Sequence, residues 1–280
     1  MRAVSLDSRG QPVLADVPEP SGEGTLVRVL ACGLCGSDVE KLGGASAGTV
    51  LGHEVAAELD GRLVALVHHL PCGECERCLA GHESTCDQFR AATIEPGGFA
   101  ERARATAMVP LPDVEPALGT YAEPLACVLR AAERLPRGRV LVVGCGFVGR
   151  LFLAVLRRRG DEVFARDPNP ARLAAPEPDG PVGAAVLCAP AGANEAAAAL
   201  EPGGTRLAFA PAGALDLDAV YRRELHVAGT RSATPRHLRA AAELLPRLEL
   251  PEPTVLPLER FAEGLELYRG GRALKVVYTP

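Results

Sequence analysis

Four cysteines lie close together in the stretch CGECERCLAGHESTC, at positions 72, 75, 78 and 86. Thiolates at such short, ordered spacings can close a tetrahedral shell around a Zn²⁺ ion. A shell of four sulfurs leaves no position for a substrate. The pattern therefore predicts a structural zinc site formed by Cys72, Cys75, Cys78 and Cys86, and it disfavours the alternative of unligated or redox-active cysteines.

A second set of potential metal ligands precedes this lobe. The loop CGLCGSD contains Cys35, Ser37 and Asp38, and the segment LGHE contains His53 and Glu54. A zinc ion that takes part in chemistry keeps about three protein ligands and an open position, which Cys35, His53 and a carboxylate can provide. We expect Asp38 to accept the other ring N–H of His53 and to fix its tautomer.

The second half of the chain carries a glycine pattern typical of dinucleotide binding. The apolar run RVLVV is followed by Gly144, Gly146 and Gly149, and a helical pattern begins at Phe147 and Val148. A strand, a tight glycine turn and a helix N-terminus together form a cradle for a pyrophosphate. Because all three parts are present in this order, the motif is far more specific than the glycines alone.

Asp167 ends the next predicted strand, EVFARD, 18 residues after Gly149. A carboxylate at this point can accept hydrogen bonds from both ribose hydroxyls of an adenosine and repels a 2′-phosphate, which predicts NAD rather than NADP. The adjacent Arg166 leaves NADP open, because an arginine can hold a phosphate. Two further cations have alternative interpretations. Arg172 either stacks on the adenine or is a solvated helix residue, and Lys275 either reaches the pyrophosphate or is a structural charge at a strand end.

The overall composition excludes several classes of protein. The 280 residues are 48% hydrophobic and carry a net charge of −5, which argues against a nucleic-acid-binding protein with its usual basic face. The sequence contains no apolar run long enough for a membrane span and no apolar core of a signal peptide at its start. We therefore expect a cytoplasmic location, where nine cysteines indicate metal binding or catalysis rather than disulfides.

Taken in order, these motifs resemble the zinc-dependent medium-chain dehydrogenase/reductase family, in the branch of sorbitol and threonine dehydrogenases. The resemblance extends over nearly the whole chain and includes GGFAE at 97–101, YAEPLACVLRA at 121–131 and ALKVVY near the end. It implies that Cys35 and His53 are ligands of a catalytic zinc. It also implies that Glu123 supplies a third, carboxylate ligand, for which Cys127 is a rival. Glu54 resembles an inner carboxylate that either ligates the metal or exchanges with water.

The chain departs from the family pattern at Glu40. Many members have a histidine five residues after the cysteine ligand, where it completes a proton relay, and here that position is Glu40. We expect Ser37 to accept the proton of the substrate hydroxyl. Three alternatives follow for the next step: Glu40 relays the proton, the proton leaves by another route, or the activity has been altered.

The resemblance also predicts the architecture, which combines an α/β with a mainly-β part. Residues 1–125, completed by 233–280, are expected to form a partly open antiparallel (GroES-like) barrel that carries the catalytic site. Residues 126–232 are expected to form a trimmed Rossmann domain that binds NAD. Little sequence separates Asp167 from the next apolar stretch at Ala184, so the sheet is expected to lack one strand. In the strand order 3-2-1-4-5-6 the missing strand 3 lies at an edge, and its loss leaves the interior intact.

The resulting prediction is a zinc-dependent oxidoreductase that transfers a hydride between an alcohol or polyol and NAD. Two zinc ions per chain are expected, one catalytic and one structural. The expected partners are a small-molecule alcohol and further copies of the chain in a homodimer or homotetramer, with neither nucleic acid nor a membrane. The alternatives are a specialised biosynthetic dehydrogenase of an amino-alcohol, sugar or cyclitol, and a non-catalytic regulatory protein that binds NAD and zinc.

Overall fold

The structure is a computed structural model that describes residues 1–88, 93–189, 192–211 and 214–280. The chain divides into two compact units. Unit 1 consists of Met1–Ala126, Ser232–Arg247 and Glu252–Pro280, and unit 2 consists of Cys127–Arg231 and Leu248–Pro251. The assignment of a catalytic domain and an NAD-binding domain to these parts of the chain remains a prediction.

Strands predominate before residue 116, and helices alternate with strands between residues 122 and 244. The strands are β1 (Arg2–Leu6), β2 (Pro12–Asp16), β3 (Thr25–Gly33), β4 (Glu54–Leu59), β5 (Arg62–Leu66), β6 (Ile94–Glu95), β7 (Arg102–Ala105), β8 (Met108–Pro110), β9 (Arg139–Val143), β10 (Glu162–Arg166), β11 (Val182–Leu187), β12 (Leu200–Ala208), β13 (His226–Gly229), β14 (Thr254–Pro257) and β15 (Val276–Thr279). The helices are α1 (Gly36–Lys41), α2 (Glu76–Leu79), α3 (Pro116–Gly119), α4 (Ala122–Ala132), α5 (Phe147–Arg159), α6 (Ala193–Ala199), α7 (Leu217–Arg223), α8 (Pro235–Leu244) and α9 (Phe261–Arg269).

Unit 1 is built on one curled sheet with the order β14-β15-β3-β4-β5-β8, to which β7 and β6 are added at β3. Apart from the parallel pair β14–β15, the strands of this sheet pair antiparallel. The long strand β3 pairs with both β4 and β7, and its register to β4 shifts between Val29 and Ala31. Val27, Val29 and Ala31 are buried whereas Leu26 is exposed, as the two-residue period of a half-buried strand requires.

Three aromatic rings fill the centre of the unit 1 core. The ring centroids of Phe99 and Phe261 lie 5.0 Å apart, and Tyr278 stacks on Phe261 at 4.5 Å. The Tyr278 hydroxyl donates a hydrogen bond of 2.8 Å to the carbonyl oxygen of Phe261, which satisfies the one polar atom of this buried ring. The C-terminal segments α9 and β15 are thereby fixed in the same core as β3 and β4.

Unit 2 is a five-stranded parallel sheet with the order β10-β9-β11-β12-β13. This is the doubly wound order 2-1-4-5-6, and strand 3 is the one missing. The sheet interior is unaffected, since Val140, Leu141 and Val142 of the interior strand β9 are fully buried. The predicted fold, a GroES-like half-barrel with a Rossmann sheet that lacks one edge strand, is confirmed.

Among the described residues, the helices are all too short or too polar to cross a membrane.

Candidate metal centres and dinucleotide loop

The four cysteines of the predicted lobe converge on one point. Their Sγ atoms are separated by 3.9 Å between Cys72 and Cys78, 3.8 Å between Cys75 and Cys86, and 3.5 Å between Cys72 and Cys86. Four sulfurs at about 2.3 Å from one zinc ion in tetrahedral geometry would be about 3.8 Å apart. The donor set therefore fits zinc, and these distances are far too long for disulfide bonds.

The protein environment prepares this lobe for a cation. The backbone N–H of Cys78 lowers the pKa of Cys75 to about 7, which favours its thiolate form. Burial raises the pKa of Cys78 to about 12. Cys78 therefore holds a proton in the metal-free state, and binding of a zinc ion is expected to release it.

The second predicted metal site also assembles in the structure. One ligand atom each from Cys35, His53 and Glu54 lies within 4.8 Å of the other two. The pairing of β3 with β4 brings these residues together, because Gly33 at the end of β3 is opposite Glu54 at the start of β4. Cys35 follows β3 directly as the N-cap residue of α1.

Asp38 fixes this arrangement from within the protein. Its side chain is buried, and its Oδ2 accepts a hydrogen bond from the Cys35 backbone N–H at 3.1 Å. Its Oδ1 lies 3.3 Å from the backbone nitrogen of Gly52 and 3.2 Å from His53 Nδ1. The contact engages Nδ1 and leaves Nε2 as the ring nitrogen that a metal could bind, and the role of Asp38 in fixing the tautomer remains a prediction.

Asp38 and His53 stabilise each other's charged form. Burial opposes the ionised form of Asp38, but the charge and hydrogen bond of His53 and the two backbone N–H groups outweigh it, so the pKa of Asp38 is lowered. Burial likewise opposes protonation of His53. Asp38 and Cys35 outweigh that opposition and hold the pKa of His53 well above its usual value in the absence of metal.

The two residues of the predicted proton relay lie on α1. The Ser37 hydroxyl lies 3.4 Å from Cys35 Sγ, so it is at the edge of the candidate metal site. Glu40 is exposed to solvent nearly one turn further along the helix. The structure thus brings Ser37 to the ligands and leaves Glu40 in contact with water, and the relay through both remains a prediction.

Lys275 directly precedes β15, which agrees with its second predicted interpretation as a structural charge at a strand end. Its side chain is buried in unit 1, where Nζ donates to the carbonyl oxygen of Leu34 at 3.0 Å and forms an ion pair with Glu54 Oε2. Burial opposes its charge, but Glu54 and Cys35 raise the pKa of Lys275 above its usual value. The contact with Glu54 corrects the proposed pyrophosphate contact, since a buried ammonium needs a counter-ion.

Glu123 does not belong to the compact ligand group in the part of the chain that the structure describes. It lies in the first turn of α4 and lines a small cavity together with His68, His69 and Thr234. Cys127, its rival for the third ligand position, is half-buried on the same helix. The role of either residue as a ligand remains a prediction.

His68 is a site residue that the sequence analysis missed. Its ring centroid lies 4.5 Å from that of His53, with the planes tilted by 31°, so it packs against the candidate metal ligand. Burial, with the neighbouring His53 and His69, lowers the pKa of His68 to about 2 and keeps its ring neutral. The available signal was its position directly after β5, the sheet neighbour of β4.

The glycine motif forms the predicted cradle in unit 2. Gly144 has a φ of +91°, and a Cβ on Gly149 would lie 2.0 Å from the carbonyl oxygen of Gly144, so neither position accepts a side chain. A Cβ on Gly146, the N-cap of α5, would meet no atom within 4 Å, which leaves open space for a pyrophosphate. Phe147 and Val148 begin α5 and are half-buried.

Asp167 connects this loop to the end of β10. Its Oδ2 accepts a hydrogen bond from the Cys145 backbone N–H at 2.7 Å, and its Oδ1 accepts one from Asn169 at 2.9 Å. The carboxylate is therefore fixed beside the glycine loop, and its contact with a ribose remains a prediction. Arg172 lies in the turn that follows, and its carbonyl oxygen accepts a hydrogen bond from Arg150 at 2.9 Å.

Comparisons with known proteins agree with this fold and with the two candidate metal sites. The family model "Alcohol dehydrogenase GroES-like domain" matches residues 21–113. L-galactonate-5-dehydrogenase of Escherichia coli (strain K12) is 28% identical over 178 residues, which cover 56% of this chain and 52% of the relative. D-altritol 5-dehydrogenase of Agrobacterium fabrum is 32% identical over 203 residues, which cover 62% and 60%.

These alignments span little more than half of the relatives' length, whereas a solved structure matches throughout. A structure described as that of a zinc-binding dehydrogenase from Sinorhizobium meliloti 1021, bound to NADP, is 25% identical. It superposes with a TM-score of 0.85 over 100% of this chain and 99% of that one. Residues 21–113 match that family model, and the whole chain is similar to zinc-binding alcohol and polyol dehydrogenases, so the predicted resemblance is confirmed.

Proposed function

We propose that this chain is a zinc-dependent dehydrogenase that oxidises an alcohol or polyol with NAD. The observation that carries the proposal is the convergence of Cys35, His53 and Glu54 around one point, with Asp38 buried behind the histidine. A sulfur, an imidazole nitrogen and a carboxylate oxygen are the donors found at catalytic zinc sites. The names of the two curated relatives favour a substrate with several hydroxyl groups.

Each cofactor has a set of residues that would hold it. Zinc would be held by Cys35, His53 and Glu54, with Glu123 as the predicted further ligand, and would supply Lewis-acid polarisation of the substrate oxygen. A second zinc would be held by the four-cysteine lobe and would contribute to stability alone. NAD would lie on the glycine loop of unit 2, with Asp167 on its ribose, and would supply the hydride acceptor.

The residues around the metal site have separate tasks. Asp38 orients the imidazole of His53, and the packed ring of His68 restricts its rotation. Lys275 engages one oxygen of Glu54 and leaves the other to act as a ligand. The charge of Lys275 also offsets that of the carboxylate at a buried position.

Proton removal is assigned to Ser37 and Glu40. The Ser37 hydroxyl lies beside Cys35 and can pass on the proton of a substrate hydroxyl, while the exposed carboxylate of Glu40 can exchange it with water. General-base assistance contributes about 10²–10⁴-fold to a rate. Glu40→Gln is expected to lower turnover at low pH. Turnover of this variant is expected to recover as the pH rises, because hydroxide then accepts the proton in place of Glu40. An unchanged pH–rate profile would remove Glu40 from the relay.

Metal analysis and turnover together test the proposed function. The purified chain is expected to bind two equivalents of zinc and to form NADH with members of a panel of alcohols, polyols and amino-alcohols. Cys35→Ser is expected to retain the zinc of the four-cysteine lobe and to lose turnover. Two bound zinc ions and bound NAD without turnover on any member of the panel would instead identify a non-catalytic protein. The predicted homodimer or homotetramer can be measured on the same preparation.

A further inference from the structure

The segment 167–181, which joins β10 to β11, replaces the missing edge strand. It is fixed to the rest of unit 2 by a backbone hydrogen bond of 2.9 Å from Ala165 of β10 to the carbonyl oxygen of Pro176. Arginine side chains of α5 also bind it, as Arg150 and Arg157 donate to the carbonyl oxygens of Arg172 and Ala174. The segment is therefore held in place by specific contacts directly after Asp167.

Two ion pairs connect this segment to the sheet. Arg166 Nε and Nη2 lie 3.0 and 2.8 Å from Glu177 Oε2, so two of its N–H groups share one carboxylate oxygen. Arg139 Nη2 lies 2.5 Å from Asp179 Oδ1. The difference between the pairs is their position, because Arg166 is the residue directly before the ribose-binding candidate Asp167 whereas Arg139 begins β9.

We propose that Glu177 is a positioning residue that sets the preference for NAD over NADP by holding the guanidinium of Arg166. The inference rests on the proposed function, in which the adenosine ribose lies at Asp167. A 2′-phosphate bound there needs a cation with free N–H groups, and Arg166 is the arginine adjacent to Asp167 in the chain. Glu177 engages two of those N–H groups. This contact disfavours a phosphate and leaves a ribose hydroxyl unaffected.

The arrangement also explains how an arginine next to Asp167 is compatible with NAD. An arginine with free donors would bind phosphate in a two-pronged contact. The ion pair with Glu177 prevents this contact with a phosphate. Arg166 itself remains and continues to hold the segment 167–181 in place. The segment 167–181, which stands in place of strand 3, would thus determine whether NAD or NADP binds.

The test measures binding of two adenosine nucleotides to the full chain by calorimetry, without turnover. The probes are adenosine 5′-monophosphate and adenosine 2′,5′-bisphosphate, and the measured quantity is the ratio of their dissociation constants. Glu177→Gln is expected to shift this ratio toward the bisphosphate by about 5- to 10-fold. This shift is smaller than the full strength of a charge-assisted hydrogen bond, because the side chains of Arg166 and Glu177 are both partly exposed. Binding of the monophosphate is expected to stay unchanged.

Two further variants separate this role from a structural one. Asp179→Asn removes an equal charge from the same linker without touching Arg166, and it should leave the ratio unchanged. In Arg166→Leu the additional Glu177→Gln change should no longer shift the ratio. The inference is overturned if Glu177→Gln leaves the ratio unchanged, if Asp179→Asn shifts it equally, or if the shift persists in Arg166→Leu. Failure of every variant and of the wild type to bind either nucleotide would instead overturn the proposed function.

Discussion

Replacing Asp38 with asparagine tests how the candidate catalytic metal site is held. The carboxylate is 1% exposed and meets three nitrogen donors, those of Cys35, Gly52 and His53. Asparagine is nearly the same size but has one acceptor oxygen. If the asparagine oxygen points toward Gly52 and His53, the amide N–H₂ group faces the backbone N–H of Cys35, which is also a donor. At least one buried N–H donor therefore loses its acceptor. Such a loss costs about 1–3 kcal/mol of unfolding free energy.

The effect on metal binding should be similar in free energy to the effect on folding. Loss of the carboxylate behind a ligand histidine typically costs about 10–100-fold in metal affinity. Zinc affinity would be measured by competition with a chromophoric chelator, and stability by urea unfolding of the metal-free protein. Asp7→Asn is the matched control, because Asp7 accepts two backbone hydrogen bonds, of 2.8 and 2.9 Å, in an exposed turn. Wild-type zinc affinity in Asp38→Asn, or an equal loss in Asp7→Asn, would refute the reasoning.

Three further predictions concern buried charges. Because the pKa of His53 is raised in the folded metal-free protein, the stability it provides is complete below about pH 6.5 and is lost as pH rises through the higher folded value. Urea unfolding of chelator-treated protein should show this decline, and a flat profile would contradict it. Arg206→Met should raise the unfolding free energy by about 1–3 kcal/mol, because Arg206 is 3% exposed and its Nε and Nη1 lack hydrogen-bond partners among the described residues. Arg139→Met, at an ion-paired and more exposed arginine, should not raise the unfolding free energy. The denaturant midpoints of the two variants provide the comparison. Lys275→Met should lower the unfolding free energy by about 3–5 kcal/mol, and a second change, Glu54→Gln, should restore much of it; additive losses would contradict a coupled pair.

The local motifs were predictable because short spacings determine them. Cys72 and Cys86 are only fourteen positions apart, so their loop can bring the thiols to one ion with few alternatives. The glycine loop is equally local, since a strand, a turn and a helix follow one another. Even the missing strand was predictable, because the sequence after Asp167 is too short for another strand and helix.

Contacts between distant segments were not predictable in the same way. Lys275 and Glu54 are 221 positions apart, and their contact depends on the pairing of β15 and β4 with the two sides of β3. The contact of Glu177 with Arg166 depends on the path of an irregular linker that has no hydrophobic period. A histidine outside a recognisable motif is usually an ordinary core or surface residue, and only the pairing of β5 with β4 brings His68 to His53.

The buried charges of the candidate metal centre form one balanced set. With a metal ion bound, Cys35 as a thiolate, Asp38 and Glu54 are negative, and Lys275 is positive. In the metal-free protein the raised pKa of His53 adds a second positive charge. With a divalent ion and a neutral His53, the three negative groups are matched by the ion and the ammonium. A site without Lys275 would bury an uncompensated charge in its metal-bound form. The lysine near the end of the chain is therefore as much a part of this centre as the ligands, although it cannot ligate the metal itself while it is protonated.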